Sequence, residues 1–91
     1  MKLTANLIGK EIIDYLKRET RYIGYTYGVS EDDSHVLIKY YSTLTSEIYY
    51  YRVNTDDYKS LSDNLRLSYK EHITSEIIER IGYETYRRFN G

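Results

Sequence analysis

The sequence predicts an α+β fold, in which a small three-stranded antiparallel sheet follows one helix and precedes two more, in the order α-β-β-β-α-α. Apolar residues recur every three or four positions near both ends of the chain, which is the period of an amphipathic helix. Three runs rich in tyrosine, isoleucine and valine lie between those ends, and these residues favour strands. The links between the runs are short, which favours a β-meander.

The first element is a helix within residues 1–20. Thr4 or Asn6 can cap its start, and Gly9 is an unfavourable residue inside it. Its apolar stripe consists of Leu7, Ile8, Ile12, Tyr15 and Leu16. We therefore expect this helix to bury one side.

Three strands are expected at residues 22–27, 35–41 and 47–53. Gly28 ends the first strand, and the polar residues 30–34 form the turn that leads to the second. The predicted sheet is therefore built from neighbours in the chain.

Strand alternation divides the third strand into two faces. One face carries Tyr49, Tyr51 and Val53, and the other carries Ile48, Tyr50 and Arg52. Val53 indicates that its own face meets the helices, so Tyr50 and Arg52 are expected to point outward. The second strand has Leu37, Lys39 and Tyr41 on the side opposite its apolar positions.

Two helices are expected after the sheet, at residues 58–65 and 69–81. Capping oxygens and acidic charge at residues 54–57 favour the start of the first. Ser68 and Glu71 have the spacing of a capping box for the second, and Gly82 is placed to stop it. The apolar stripe of the second helix consists of Tyr69, Ile73, Ile77 and Ile81.

The composition predicts a single domain, residues 1–91. Thirteen Lys and Arg against 14 Asp and Glu give a net charge of −1, which argues against a general grip on nucleic acid. The chain has no cysteine, and it lacks the ~20-residue apolar run of a membrane span. We expect a cytoplasmic protein with no membrane partner. The residue usage suggests a phage or other mobile element, whose protein acts in the host cytoplasm.

The sequence carries no pattern typical of an enzyme. A Gly-rich phosphate loop and a nucleophile elbow are both missing. His35 and His72 have no second ligand at a metal-binding spacing, and residues 31–33 lack the glycine and glutamate of a calcium loop. We expect a protein that is not an enzyme and has no metal site and no cofactor.

Two clusters are candidates for binding, and the first is the outward side of the sheet. It combines Tyr50 and Arg52 with Tyr41 and Lys39. Aromatic rings and cations of this kind stack on bases or dominate protein interfaces. The alternative is that tyrosines fill a small sheet and its rim because they favour strands.

The second cluster is the basic and aromatic tail, which can hold a phosphate or an acidic partner surface. Its residues are Arg87 and Arg88 together with Tyr83, Tyr86 and Phe89. Arg66 and Lys70 join it if the last helix packs nearby. The alternative is a solvated terminus whose arginines pair with Glu84 or complement a helix C-terminus.

The order of parts resembles the KTSC domain family over residues 22–89. The resemblance rests on the Ile-Gly-Tyr run at residues 23–25, the apolar strand at residues 36–40, and a Tyr-x-Tyr strand that ends in Val53. The helices that follow, with tyrosine and arginine near the end, complete the pattern.

The chain departs from that family at two places. Asn54 stands where proline is usual, and residues 64–66 replace a Ser-x-Gly turn. The resemblance implies the same α+β unit, preceded here by an added helix at residues 1–20. It also implies RNA binding as a suggested function.

Three functions remain open. The first is a small binding module that inhibits or modulates a host protein, such as a defence target in the manner of an anti-CRISPR. The second is an RNA- or nucleotide-binding module that uses the Tyr/Arg face of the sheet. The third is a homodimer or larger homo-oligomer whose N-terminal helix supplies the contact. Salt separates the first two, because phosphate-driven affinity falls steeply as salt rises.

Overall fold

The computed structural model of the chain describes residues 3–20, 24–42 and 46–81. The elements follow the predicted order α-β-β-β-α-α, so the predicted α+β fold is confirmed. They are α1 (Ala5–Thr20), β1 (Thr26–Val29), β2 (His35–Ser42), β3 (Glu47–Asn54), α2 (Thr55–Lys59) and α3 (Asp63–Ile81). None of the described helices combines the length and the apolar character that a membrane span needs.

The sheet is an antiparallel meander with the strand order β1-β2-β3, so β2 lies in the middle. β2 and β3 pair along their whole length, from His35 opposite Asn54 to Ser42 opposite Glu47. Their register runs without a bulge. The pairing fixes which side chains share each face, because residues directly opposite one another point the same way.

The first strand differs from the prediction of residues 22–27. β1 begins later, at Thr26, and continues one residue beyond Gly28. The turn explains the later end, because the Ser30 N–H donates to the His35 C=O (3.0 Å) and extends the ladder past the glycine. The predicted strand residues before position 24 lie outside the described part of the chain.

The turn between β1 and β2 is organised by Asp32. Its Oδ1 accepts hydrogen bonds from the hydroxyl (2.6 Å) and the N–H (3.0 Å) of Ser34, and from the Ser30 hydroxyl (2.8 Å). These bonds favour the carboxylate and lower the pKa of Asp32 to about 2. Asp33 has a positive φ of 58°, which aspartate tolerates better than most residues. The polar segment therefore forms a turn, as predicted.

Helix α1 packs on the sheet and supplies much of the core. Ile8, Ile12 and Leu16 are completely buried, and each such side chain contributes about 1.5–3 kcal/mol on burial. Thr4 caps the helix by accepting the Leu7 N–H (3.2 Å). The apolar stripe of α1 therefore packs mainly inside its own chain, which leaves little of it for the subunit contact that the sequence suggested.

Several tyrosines serve the core rather than the surface. Tyr40 is buried, stacked on Tyr49 (ring centroids 5.6 Å apart) and tilted against Tyr25 (6.2 Å). Tyr58 is also buried, and its hydroxyl donates to the Glu11 carboxylate. The rings of these tyrosines therefore serve packing, and they do not belong to a binding surface. The tyrosines that remain candidates for binding are those on the other side of the sheet.

Helix α2 begins at Thr55, before the predicted residue 58, and it also ends earlier than predicted. The Asn54 side chain accepts the Asp57 N–H (2.9 Å) and caps the start. The end lies at Lys59 rather than at residue 65. Arg66 explains the early end, since its Nε and Nη2 donate to the C=O groups of Tyr58 (3.3 Å) and Lys59 (3.0 Å).

Helix α3 begins earlier than predicted, at Asp63. The Ser62 hydroxyl accepts an N–H of its first turn (3.4 Å). Ser68 lies inside the helix, so the capping box predicted there is wrong. The apolar stripe of the prediction is confirmed at Ile73 and Ile77, which are completely buried.

The helices lie on one face of the sheet. α1 contacts β1 and β2 and also packs against α2 and α3. The sheet residues on this side are buried at Val36, Ile38 and Val53. In residues 3–20, 24–42 and 46–81, no element covers the opposite face, whose side chains are largely exposed.

Candidate binding face of the sheet

The uncovered side of the sheet, which we call the open face, consists of alternate strand positions. They are Thr26, Gly28, His35, Leu37, Lys39, Tyr41, Ile48, Tyr50, Arg52 and Asn54. None of these residues is acidic, whereas Lys39 and Arg52 carry full positive charges. The open face is therefore positive although the whole chain has a net charge of −1.

Four large apolar side chains of the open face remain in contact with solvent. Leu37, Tyr41, Ile48 and Tyr50 are 37%, 43%, 58% and 51% exposed. Tyr41 lies directly opposite Ile48 across β2 and β3, so these side chains form one group. Single exposed apolar residues are normal, but a contiguous group indicates an interaction surface.

The two cations lie between the apolar side chains. Lys39 is directly opposite Tyr50, and Leu37 is directly opposite Arg52. Lys39 and Arg52 are therefore diagonal neighbours on adjacent strands, a separation of roughly 7–8 Å between backbones. Their long side chains can reach a single anionic group.

A groove of about 410 Å³ lies at the end of the open face next to the turn. The side chains of His35, Leu37, Lys39 and Arg52 line it. Gly28 also lines the groove and leaves it open, because a Cβ at that position would have no neighbouring atom within 4 Å. Val29 and Ser30 line the groove as well, and this mixture of apolar and nitrogen-bearing residues suits an acidic side chain with an aliphatic stem.

A smaller groove of about 180 Å³ lies at the other end of the open face. Gly24, Tyr41 and Ile48 line it together with Lys39. Because Lys39 borders both grooves, it occupies the centre of the open face.

Arg52 is connected to the turn through His35. The Nη2 of Arg52 lies 3.3 Å from His35 Nδ1. The Nδ1 of His35 also lies 2.8 Å from Ser34 Oγ. An arginine only donates, so it can bond to Nδ1 only when that nitrogen carries no proton. His35 therefore contacts both the turn and the guanidinium group at the groove.

The structure brings together the four sheet residues predicted for binding. Lys39, Tyr41, Tyr50 and Arg52 all lie on the open face. The opposite orientation is confirmed for their neighbours on β3, which are partly or fully buried on the helical side: Tyr49, Tyr51 and Val53.

Leu37, Ile48, Gly28 and His35 belong to the open face but are not among the residues that the sequence predicts for binding. Leu37 and Ile48 share the alternation of Lys39 and Tyr50, which is the signal that identifies them. Gly28 carries no such signal, because a glycine at this point equally marks the end of a strand.

The second predicted cluster has a different outcome. Tyr86, Arg87 and Arg88 lie outside the described residues, as does Gly82, the predicted helix stop. Arg66 binds the end of α2, and the Lys70 Nζ lies 5.6 Å from the centre of the Tyr15 ring. These two cations therefore take part in packing between the helices.

The two histidines lie in separate environments. His72 pairs with Glu76 (3.2 Å) on the exposed side of α3, whereas His35 contacts Arg52. Within the described ranges, no group of three or more His, Asp or Glu residues is arranged to hold a metal ion.

Comparison of the chain with protein-family models gives no match. Comparisons with curated proteins and with solved structures also give no match. The resemblance to the KTSC family therefore stays a prediction, and the function must be inferred from the open face.

Proposed function

We propose that this protein is a small non-enzymatic module that docks a protein partner on the open face of its sheet. The observation that carries the proposal is the contiguous group of exposed apolar side chains, Leu37, Tyr41, Ile48 and Tyr50. Burial of such surface drives association at ~25 cal/mol per Å². Tyrosine and arginine are also the residues that most often dominate interface energies.

The partner is expected to present carboxylates to Lys39 and Arg52. The open face has two full positive charges and no acidic residue among its described positions, so its charge is not balanced locally. Complementary charges steer association and fix orientation, while the apolar group supplies most of the affinity. Moderate salt should therefore slow association without abolishing the complex.

Single-stranded RNA is the second candidate, and one observation favours it. Tyr50 is directly opposite Lys39 and lies two residues from Arg52, and rings beside cations are typical of single-strand sites. A protein fits better, because Leu37 and Ile48 offer no ring for stacking and the chain has a net charge of −1.

A module of this kind modulates its partner by covering a functional surface. That the partner is a host defence protein, encountered by a phage or mobile-element product, stays a prediction from the sequence. From the open face we expect a partner that presents apolar groups to its exposed apolar side chains and a carboxylate to Lys39 and Arg52.

Affinity capture from host lysate, with and without nuclease, tests the proposal. The bait is the tagged chain, compared with the double variant Tyr50→Ala, Arg52→Ala. We expect a specific protein that stays bound after nuclease and moderate salt, and that is lost with the double variant. Both changes lie on the open face away from the core, so the melting curve should change little.

A matched control removes similar groups from the helical side. The double variant Leu65→Ala, Arg18→Ala changes an exposed leucine and an exposed arginine and should retain the partner. Capture that disappears with nuclease would instead favour RNA. Capture that is the same for all three proteins would exclude the open face as the docking surface.

A further inference from the structure

A further groove lies between the end of β3 and the two helices that follow it. Its volume is about 400 Å³, within the roughly 300–1,000 Å³ that small-molecule sites occupy. We call it the edge groove. The residues that line it are Arg52, Asn54, Asp57, Tyr58, Leu61 and Tyr69. Four of these six residues do not belong to the open face, so the edge groove is a separate place on the molecule.

The walls of the edge groove are aromatic and apolar. The half-buried ring of Tyr69 is tilted against the buried ring of Tyr58, with 5.9 Å between the ring centroids. The Tyr58 hydroxyl donates to the Glu11 carboxylate, and Tyr69 shares a hydrogen bond with Tyr51. These bonds hold the two rings in place. Together with Leu61, the rings form a preformed surface for a flat ring.

Two polar side chains of complementary character line the same groove. The Asn54 Oδ1 accepts the Asp57 N–H (2.9 Å), so the amide of Asn54 offers its NH₂ group as a donor. The carboxylate of Asp57 only accepts. Within residues 3–20, 24–42 and 46–81, neither this carboxylate nor this NH₂ group forms a hydrogen bond. Both groups are therefore available to a ligand.

Arg52 adds a positive charge on the β3 side of the edge groove. Its Nη2 lies 3.3 Å from His35 Nδ1, and no carboxylate of the described ranges forms an ion pair with it. Arg52 and Asp57 thus line one groove without neutralising each other. The edge groove suits a ligand with a flat ring, an anionic group for Arg52, and an edge of N–H donors for Asp57.

Among the nucleobases, guanine has the edge that matches these groups. Its O6 accepts, while its N1–H and the neighbouring N2 amino group both donate. A carboxylate can therefore take both donors, and an amide NH₂ group can donate to O6. Adenine and cytosine have a donor where guanine has O6, and uracil has a single N–H between two acceptors. Only guanine places an acceptor beside two donors.

We propose that the edge groove binds a free guanine nucleotide. The base lies against Tyr69 and Leu61, and its two donors bind the Asp57 carboxylate. Asn54 donates to O6. The phosphate group lies at Arg52, because a guanidinium group matches the geometry of phosphate oxygens. The site does not depend on the docking of a protein partner, although Arg52 borders both places.

Calorimetric titration with guanosine 5′-monophosphate (GMP) tests the choice of base. We expect GMP to bind at least roughly tenfold more tightly than adenosine 5′-monophosphate, because hydrogen bonds to a charged group are strong. Inosine 5′-monophosphate lacks only the N2 amino group and should fall between them. Equal affinity for the guanine and adenine nucleotides, or no binding of GMP at millimolar concentration, would overturn the proposal.

A matched pair of variants tests the role of the carboxylate. Asp57→Asn keeps the backbone N–H that Asn54 accepts and should abolish the preference for guanine over adenine. Asp56→Asn changes the neighbouring exposed carboxylate, which does not line the edge groove, and should bind GMP as the wild-type protein does. A preference for guanine that persists in Asp57→Asn would contradict the assigned contact.

Two further variants test the phosphate contact and separate it from the open face. Arg52→Ala should reduce the affinity for GMP to that for guanosine. Lys39→Ala removes a cation of the open face that does not line the edge groove, so it should bind GMP normally while it weakens the docking of a protein partner. Equal loss of GMP binding in both variants would indicate a general attraction to positive charge and overturn the proposal. Asp57→Asn leaves the open face intact, so the two functions can fail independently.

Guanine also occurs within RNA, and an RNA pentamer with one central guanosine between uridines separates the two sources. The free nucleotide should bind more tightly, because its terminal phosphate carries more negative charge than the single charge of a phosphodiester. A pentamer that binds more tightly than GMP would assign the edge groove to RNA and overturn the choice of a free nucleotide.

Discussion

The ring of Tyr27 lies against Gly9, so β1 and α1 approach each other where no larger residue fits. A Cβ added to Gly9 would stand 2.7 Å from both Cγ and Cε2 of the ring. The Tyr27 hydroxyl donates to Asn6 Oδ1 (2.8 Å), which fixes the ring on the helix. Gly9 lowers the intrinsic stability of α1, but the close packing against Tyr27 requires a residue without a side chain.

Gly9→Ala should lower the free energy of unfolding by about 1–3 kcal/mol, because the added methyl group overpacks this contact. This overpacking opposes the stabilisation of roughly 1 kcal/mol that alanine normally gives relative to glycine inside a helix. Urea denaturation measures the difference. Gly28→Ala is the control and should be neutral or stabilising, because that position has open space. A stabilised Gly9→Ala variant would contradict the packing.

The raised pKa of Tyr58 predicts a loss of stability at alkaline pH. Burial, together with the hydrogen bond to Glu11, raises the pKa of Tyr58 well above its ordinary value of 10.0. The folded chain keeps this proton where the unfolded chain releases it, so the free energy of unfolding falls as pH rises above about 10. Burial also raises the pKa of Tyr15 and Tyr69, so these residues contribute to the same slope.

Tyr58→Phe isolates the contribution of that hydroxyl. At neutral pH the variant should be less stable by about 0.5–1.5 kcal/mol, because Glu11 loses a donor. Above pH 10 the difference should shrink, since the wild-type protein alone loses the Tyr58 contribution. Urea denaturation at neutral and alkaline pH measures both effects, and parallel pH profiles would contradict the raised pKa.

Asp32 predicts an unusually acidic titration. The hydrogen bonds from Ser34 and Ser30 lower its pKa from 3.8 to about 2. Its contribution to the turn is therefore complete above the ordinary pKa and is lost as pH falls toward 2. NMR titration of the side-chain carboxyl carbon should give a midpoint near pH 2, and Ser34→Ala should raise it. An unshifted midpoint in the wild-type protein would exclude the hydrogen-bonded turn.

The start of α3 predicts different results for two serines. Ser62→Ala removes the capping hydroxyl and should cost about 0.5–1 kcal/mol of unfolding free energy, the lower part of the range for caps because the bond is long. Ser68→Ala changes an exposed position inside the helix and should be neutral or slightly stabilising. Urea denaturation measures the free energy of unfolding of both variants. A larger loss for Ser68→Ala would restore the predicted capping box.

Alternation made the open face predictable from the sequence. Val53 marks the buried side of β3, and a period of two then places Tyr50 and Arg52 on the other side. The same rule applied to β2 places Lys39 and Tyr41 beside them. Local pattern was sufficient here because every strand neighbour is also a neighbour in the chain.

The remaining features depend on contacts between distant residues. Arg66 ends α2 by binding its carbonyls from the next helix, and no local signal specifies that reach. Gly9 is unfavourable in an isolated helix, and only its contact with the ring of Tyr27, 18 positions away, explains it. The role of Gly28 in the groove likewise follows only from the pairing of β1 with β2.

The central claim is that the open face docks a protein partner, and Gly28→Val tests it most directly. A Cβ at this position meets no neighbouring atom within 4 Å, and valine favours a strand, so the melting temperature should stay the same or rise. Its side chain would occupy the groove between Leu37 and Arg52. Calorimetric titration with the purified partner should show binding weakened by roughly tenfold or more, equivalent to about 1.4 kcal/mol. Equal affinity for the wild-type protein and the variant would contradict the claim.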